Sequence, residues 1–473
     1  MTLVTPGAAP ARAASSTVVL AVYDAAGTKL SYGQVIDRIT AGGAGWRGDA
    51  TYRVGDGSIV QMPALYRLNG APAFDVSGTG VGLSIPWRTA STGYSTLFVD
   101  DGGGGFSGGG TVNLTYRAAL DYRAKLDAAI ARRPEFVPTP AFTAADQEAS
   151  DLVAQATGAG DEATRGALGQ QALDALARAL ELLLRVDGRE RGASGAPAWW
   201  GVTVDRMNGF RAVMGSIADM TAAAPGSAYV RVVFDEGVGP TAYDGIVAEA
   251  RRDGVTVVGQ ILDSSAMRRL DLAAFERRVR TYVDHFPGID VWEIGNEING
   301  EWLGPDAAAK ASYAAAYVKA ADPSDTTVLT LFWEMGTAGR PSSSMFQWAR
   351  DNVDPGFAAN VDVVAMSTWA GGAPLGISMD EVFTRLHAMF PAQRLAVGEL
   401  GYWEPGTTRG WWWRSTAHPT TVVRRALAVQ MYQGALSFPY SVDGVFWWYY
   451  VQEMADRGAL WRQVRAAISS ASP

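Results

Sequence analysis

Residues 290–300 read Asp290-Val291-Trp292-Glu293-Ile294-Gly295-Asn296-Glu297-Ile298-Asn299-Gly300, and their reading decides the fold. Asp290–Ile294 is an apolar run of strand length closed by Gly295-Asn296. Ahead of it, Leu272–His285 repeats apolar residues at helical spacing; behind it, Ala307–Ala321 is alanine-rich and helical in pattern. A strand set between two helices is one unit of a parallel α/β sheet. Outward from that unit the same alternation recurs over all residues after Gly195. The expected strands are Trp199–Val204, Tyr229–Phe234, Thr256–Ile261, Asp290–Ile294, Thr327–Leu331, Val361–Met366, Arg394–Val397 and Gly444–Trp448. Further helical stretches fall at Tyr243–Arg252, Met379–Phe390 and Thr420–Leu436. Eight repeats over about 275 residues match the size of a (β/α)8 TIM barrel. A doubly wound open sheet is the alternative, but it carries a glycine-rich phosphate turn after its first strand. The turn after Val204 is Asp205-Arg206-Met207-Asn208-Gly209, which is no phosphate cradle.

The residues before the barrel have a different texture. Short alternating runs at Thr17–Tyr23, Ser58–Met62, Val81–Pro86, Ser95–Val99 and Thr111–Thr115 are parted by Gly- and Asp-rich turns, the pattern of a β-sandwich-like domain over 16–133. A helix is expected over Arg117–Arg132, ended by Pro134. Residues 134–194 then read as a linker, Pro134 to Pro140, with helical segments near 143–157 and 161–187. The second carries Leu168, Leu173, Leu176, Leu180 and Leu183–Leu184, a stripe that must pack on something. The barrel is expected over 195–473. The sandwich-like part either binds carbohydrate, with Trp46, Tyr52, Tyr66, Trp87 and Tyr94 as stacking candidates, or caps the barrel as a structural element. The capping role is the simpler reading. Residues 1–15 are a trimmed export signal or a disordered tail: Ala11-Arg12-Ala13 has the spacing of a signal-peptidase site, but no apolar segment precedes it. A secreted or periplasmic location is expected, with a cytoplasmic one as the alternative.

Composition narrows the chemistry. With no cysteine, thiolate nucleophiles and metal sites are excluded, and the three histidines (His285, His387, His418) have no metal-ligand spacing, so neither metal nor cofactor is expected. A formal charge of −8 argues against nucleic acid, and no apolar run is long enough for a membrane helix. A chain acting as a monomer on a carbohydrate partner is expected, because 16 Trp exceed what a core needs and their faces stack on sugar rings. Two motifs carry no weight. Gly103-Gly104-Gly105-Phe106-Ser107-Gly108 fits GxGxxG in letters only, and Asn113-Leu114-Thr115 is a glycosylation sequon inside an expected strand.

Chemistry in a (β/α)8 barrel sits at the C-terminal ends of its strands. Those ends supply Asp205, Asp235–Glu236, Asp263, Asn296–Glu297, Glu334, Glu399 and Glu453. A ring of acids points to carboxylate chemistry. Cleaving a glycosidic bond needs one protonated acid and one carboxylate.

A fourth strand ending in Gly295-Asn296-Glu297, with a seventh reading Arg394-Leu395-Ala396-Val397-Gly398-Glu399-Leu400-Gly401, resembles the clan A glycoside hydrolases. The resemblance implies a retaining glycoside hydrolase cleaving a poly- or oligosaccharide by double displacement, with Glu297 as acid/base and Glu399 as nucleophile. It implies that Asn296 binds a sugar hydroxyl, that Arg231 holds the nucleophile's charge, and that Trp447 or Trp448 floors the subsite. Asp205 and Trp369, at the first and sixth strand ends, complete the expected substrate-binding set. Gly295-Asn296-Glu297-Ile298-Asn299 is similar to the beta-galactanases, although the leucine-tryptophan-proline that follows there is replaced by Gly300-Glu301-Trp302-Leu303. Ser367, Thr368 and Trp369 stand where many clan members place a Tyr or His. A transglycosidase with the same residues and a non-catalytic carbohydrate-binding barrel are the rival readings. Glu293 is expected as a buried, paired acid; Glu334 and Glu404 are the other acids that could replace an assigned one. Trp411–Trp413 either stacks on substrate or packs on the rim.

Overall fold

The computed structural model describes residues 15–40, 47–90, 93–193, 198–205, 210–222, 227–369, 375–401 and 438–468. Residues 1–14, Trp46, Glu404, Trp411–Trp413 and the helix expected over Thr420–Leu436 lie outside the described residues.

The chain begins with β1 (Ser15–Ala21), α1 (Tyr32–Ile39), β2 (Ala50–Arg53), β3 (Ile59–Gln61), β4 (Tyr66–Leu68), β5 (Ala71–Ser77), β6 (Val81–Thr89), β7 (Gly93–Val99) and β8 (Gly110–Asn113). They make two four-stranded sheets, ordered β4-β5-β1-β8 and β3-β2-β6-β7. Then come α2 (Leu114–Ala131), α3 (Pro140–Gly158) and the 32-residue α4 (Glu162–Ala193). Val18, Leu20, Phe74 and Val76 of the first sheet share one core with Leu83, Ile85, Leu97 and Val99 of the second. Tyr122 and Leu126 of α2 join it, with Leu173, Leu176, Leu180 and Leu183 of α4, so the leucine stripe has its partner surface. The stacking candidates Tyr52, Trp87 and Tyr94 are buried, which corrects their reading as sugar platforms: Trp87 donates its indole N–H to Gln170 (2.9 Å) instead.

All eight expected barrel strands are present. They are β9 (Trp199–Val204), β10 (Ser227–Val233), β11 (Thr256–Gln260), β12 (Val291–Gly295), β13 (Thr326–Phe332), β14 (Val363–Trp369), β15 (Arg394–Gly401) and β16 (Ser441–Trp447). Each pairs in parallel with the next, and β16 returns to β9, closing the barrel. Around it lie α5 (Phe210–Thr221), α6 (Asp244–Arg252), α7 (Ser264–Met267), α8 (Leu272–His285), α9 (Ala307–Ala321), α10 (Met345–Asn352), α11 (Pro355–Ala358) and α12 (Met379–Met389). Strands buried on both faces need apolar residues at every position, which is why these runs are Val- and Ile-rich without alternation. No described helix is long and apolar enough to cross a membrane.

The two parts are bonded to each other. Tyr122 Oη meets Ser378 Oγ just before α12, and Ser378 Oγ reaches the carbonyl of Thr96. Arg132 and Arg133 both bond Asp380, and Arg385 donates to the carbonyl of Val54. Gly376 and Gly336 allow the backbones this close: a Cβ would overlap Ser95 at the first and Gly48 at the second, and Gly376 also has φ +57°. Ala50, Tyr52, Ile59, Phe98 and Leu184 belong to the barrel's own hydrophobic cluster. Deleting residues 1–190 strips that cover and leaves Asp380 without its arginines. The expected result is a barrel that is insoluble or unfolded on expression, checked by sedimentation and circular dichroism. A soluble, folded barrel would show that the amino-terminal part is an accessory.

Candidate active site

The barrel interior changes character along its axis. Tyr229, Val258, Val291, Val328, Val363, Ala396 and Phe446 fill its lower layers. Two residues beyond Tyr229, Val258, Val291 and Val328, with the strand period of two, the inward positions become Arg231, Gln260, Glu293 and Thr330, and Ser367, four beyond Val363, joins them. All five are buried. Arg231 is the hub: Nη1 donates to Glu293 Oε1 (3.1 Å), Nη2 to Glu399 Oε2 (2.8 Å) and Nε to Thr203 Oγ1 (3.1 Å). Glu293, also bonded by Thr330, is the buried paired acid that its position on the strand suggested.

Both acids of interest depend on irregular pairing. The register of β15 against β14 slips between Ala365 and Ser367, so three residues of β15 face two of β14. Such a bulge re-aims a side chain, and Glu399 joins the barrel interior instead of the helix layer. A second slip falls on β12 between Glu293 and Gly295, ahead of Glu297. Glu297 itself has φ +48°, a left-handed conformation that costs a non-glycine residue about 1–3 kcal/mol and clusters at functional sites.

Glu297 and Glu399 line one cleft of about 300 Å³, with Asp263, Ser264, Asn296, Trp302, Phe332, Trp369 and Trp448. Their surroundings differ. Glu399 Oε2 accepts from Arg231 and from Asn296 Nδ2 (3.4 Å). Among the described residues, Glu297 accepts only from hydroxyls, Ser367 Oγ to Oε1 (2.8 Å) and Ser264 Oγ to Oε2 (3.0 Å). Burial and the neighbouring Glu399 push the Glu297 carboxyl up to about 8. Burial raises Glu399 as well, but there Arg231 opposes it. One proton shared by this pair therefore rests on Glu297, and the charge rests on Glu399 beside the guanidinium.

Of the other expected residues, Trp369 and Trp448 line the cleft; Trp448 lies under the Arg231 guanidinium at 4.9 Å, and Trp369 meets Tyr449 edge-on. Trp447 does not. It faces the helix layer beside Trp200 and Val202 and donates to Glu453 Oε2 (2.9 Å), because adjacent strand residues point to opposite faces. Asp205 sits at the rim, accepting from Gln452 Nε2 (2.8 Å), outside the cleft lining. Glu334 is buried outside that lining too, with its pKa raised to about 8 by burial and by Glu301.

Sequence reasoning passed over Ser264, Trp302 and Phe332. The signal for Ser264 is its place right after the strand-end acid Asp263, whose side chain caps α7 by accepting from Ser265 N–H (2.9 Å). Trp302 shows itself only in space: it is 38% exposed, edge-packed on Phe332 at 5.5 Å, and the one aromatic among the large exposed hydrophobics of the described residues.

No known family model matches the chain, and no curated protein does. Among solved structures it is similar to an FMN-binding beta-glucuronidase from Facaelibacterium prausnitzii L2-6, at 10% identity and a TM-score of 0.38, over 54% of this chain but only 38% of that one. It is similar to a Thermobacillus composti GH10 xylanase at 16% identity and a TM-score of 0.39, over 58% of this chain and 97% of that one. TsXylA, an intracellular xylanase from Thermoanaerobacterium saccharolyticum JW/SL-YS485, aligns at 15% identity and a TM-score of 0.40, over 57% and 95%. At these identities and scores the likeness carries no conclusion about activity or substrate.

Proposed function

We propose that this chain is a retaining glycoside hydrolase acting on an oligo- or polysaccharide. The observation that carries the reading is one cleft with two unlike carboxyls: among the described residues, Glu399 is held by a cation and Glu297 by hydroxyls. Glu399 attacks the anomeric carbon while the glycosidic C–O bond breaks and Glu297 passes its proton to the leaving oxygen. Water then attacks the same carbon, Glu297 takes the water's proton, and the glycosyl–Glu399 bond breaks. Asn296, whose Oδ1 accepts from the backbone N–H of Ser264 (3.2 Å), touches the sugar beside the reacting carbon in this reading. Trp448 and Trp369 supply apolar faces for the ring.

Proton NMR of the first-formed product tests this: the anomeric configuration of the substrate should be kept, and inverted product overturns the reading. Activity should fall as pH rises through about 8, because Glu297 must be protonated in the first step. It should also fall at low pH as Glu399 gains a proton. The Glu297→Gln variant, unable to titrate, should lose the upper limb of the kcat/KM profile.

Trp302 stands five residues beyond Glu297, in the cleft lining and beside Phe332, and in this reading it faces the leaving group. Trp302→Ala is expected to raise KM about fivefold for oligosaccharides and less than about twofold for aryl glycosides, since a sugar stacked on indole is worth about 1 kcal/mol. Equal changes for both would remove Trp302 from the leaving-group side. The same platform could seat a sugar acceptor, which makes transglycosylation the second reading; product sizing at high substrate separates the two. The amino-terminal part, a sandwich-like domain joined to the barrel by α3 and α4, is the structural brace in this reading.

A further inference from the structure

The Glu297 carboxyl is held at both oxygens by hydroxyls from strand ends on either side of β12. Ser367, on β14, is fully buried and outside the cleft lining; Ser264, at the start of α7, lines it. We propose that Ser264 and Ser367 are positioning residues, a two-point clamp in which Ser367 anchors Oε1 and Ser264 shares the proton carried on Oε2. The clamp rests on the assignment of Glu297 as acid/base and extends it by naming the oxygen that delivers the proton.

Three observations support the clamp. Glu297 has a left-handed backbone, so its main chain is a strained platform and its side chain needs tethers to stay in one pose. A hydroxyl donates to a carboxylate and accepts from a carboxylic acid, so the same two contacts survive both protonation states that the reaction requires. A Lys or Arg at either place would hold Glu297 ionised, and a third acid would repel it. Ser264 also couples the two carboxyls: its N–H orients Asn296, whose Nδ2 donates to Glu399. The charged groups around Glu297 are Glu399 from β15 and Asp263 from the turn before α7, with Arg231 and Glu293 behind Glu399. Among the described residues none of them is a cation in contact with Glu297, and the two hydroxyls are the groups there that favour its ionised form. Because Ser264 lines the cleft and Ser367 does not, the proton that reaches substrate leaves from Oε2.

The test uses the full chain, an unactivated oligosaccharide and a nitrophenyl glycoside. Ser367→Ala removes a donor to the ionised form, so the upper limb of kcat/KM should move up by about half to one pH unit. Turnover of the unactivated substrate should fall about tenfold, and that of the nitrophenyl glycoside much less, because proton delivery matters only for a poor leaving group. Ser264→Ala, at the cleft wall, should give the same limb shift with a larger loss on the unactivated substrate; it stands alone if Ser367→Ala does not fold. Ser264→Thr, which keeps the hydroxyl, should restore both. If either folded alanine variant keeps the wild-type limb and the wild-type ratio of the two substrates, the clamp is overturned while the acid/base assignment stands. If Glu297→Gln itself leaves the limb unmoved, the clamp and the assignment beneath it both fall.

Discussion

Replacing Glu399 with alanine is expected to lower turnover about 10⁴-fold or more on every glycoside, because the atom that forms the new bond is gone. Replacing Glu297 with alanine should cost about 10²–10⁴-fold on unactivated substrates, the range of general acid–base catalysis. On a nitrophenyl glycoside the Glu297 variant should still form the covalent intermediate and then stall. Added azide attacks without needing a base, so it should restore turnover and give a glycosyl azide of retained configuration. The Glu399 variant should give the inverted azide, since the small anion then fills the nucleophile's side. Opposite patterns in the two variants would swap the roles. Near wild-type activity in both would move the chemistry elsewhere in the acid ring, with Glu293 and Glu334 next in line.

The Arg231→Met variant should show the largest loss of stability in the barrel. The guanidinium is buried and bonds Glu293 and Glu399 at once. Breaking a buried pair from one side costs about 3–5 kcal/mol, because a charge is left in the interior without its counterion. Burial already raises both carboxyls against the pull of Arg231, and without it they bind protons more readily, so their folded pKa values rise further above the unfolded ones. A group of that kind binds more protons in the native state between the two values, and stability there falls as pH rises. Urea unfolding at pH 5 and pH 8 should therefore show a deficit that is larger at pH 8. A deficit independent of pH would mean that the arginine acts by packing alone. Activity should drop with stability, since Glu399 without its counterion holds its proton more tightly and is a poorer nucleophile.

The barrel was legible because its strands carry no alternation and its helices do. Leu272–His285 and Ala307–Ala321 end at the expected residues, and the eight strands lie within four residues of expectation at each end. The amino-terminal sheets were harder. Tyr66–Leu68 is three residues long, Ala71–Ser77 is interrupted by Pro72, and neither length nor alternation marks them. Tyr32–Ile39 had a readable start: Ser31 and Gln34 cap it reciprocally, the Ser-x-x-Gln signature of a helix beginning. At the site, strand ends picked out Glu297 and Glu399, but strict period-two counting along β15 would have turned Glu399 outward. The bulge that turns it inward involves no distinctive residue beyond Gly398, so it has no signature in the letters. Trp447 and Trp448 pose the converse problem: both are Trp, and only the register of β16 decides which one faces substrate. Ser264 and Ser367 carry no motif at all, because a hydroxyl becomes significant only when a fold brings a carboxyl to it.

The bond between Tyr122 and Ser378 joins residues 256 positions apart. On a ribosome adding about 5–20 residues per second, roughly 13–50 s pass between making the first and the second. For that interval the face of Tyr52 and Phe98 exists without the barrel residues it packs against, and Arg133 exists without Asp380. The amino-terminal sheets must therefore stay in solution half-finished, and their completion waits on the sixth of eight barrel units.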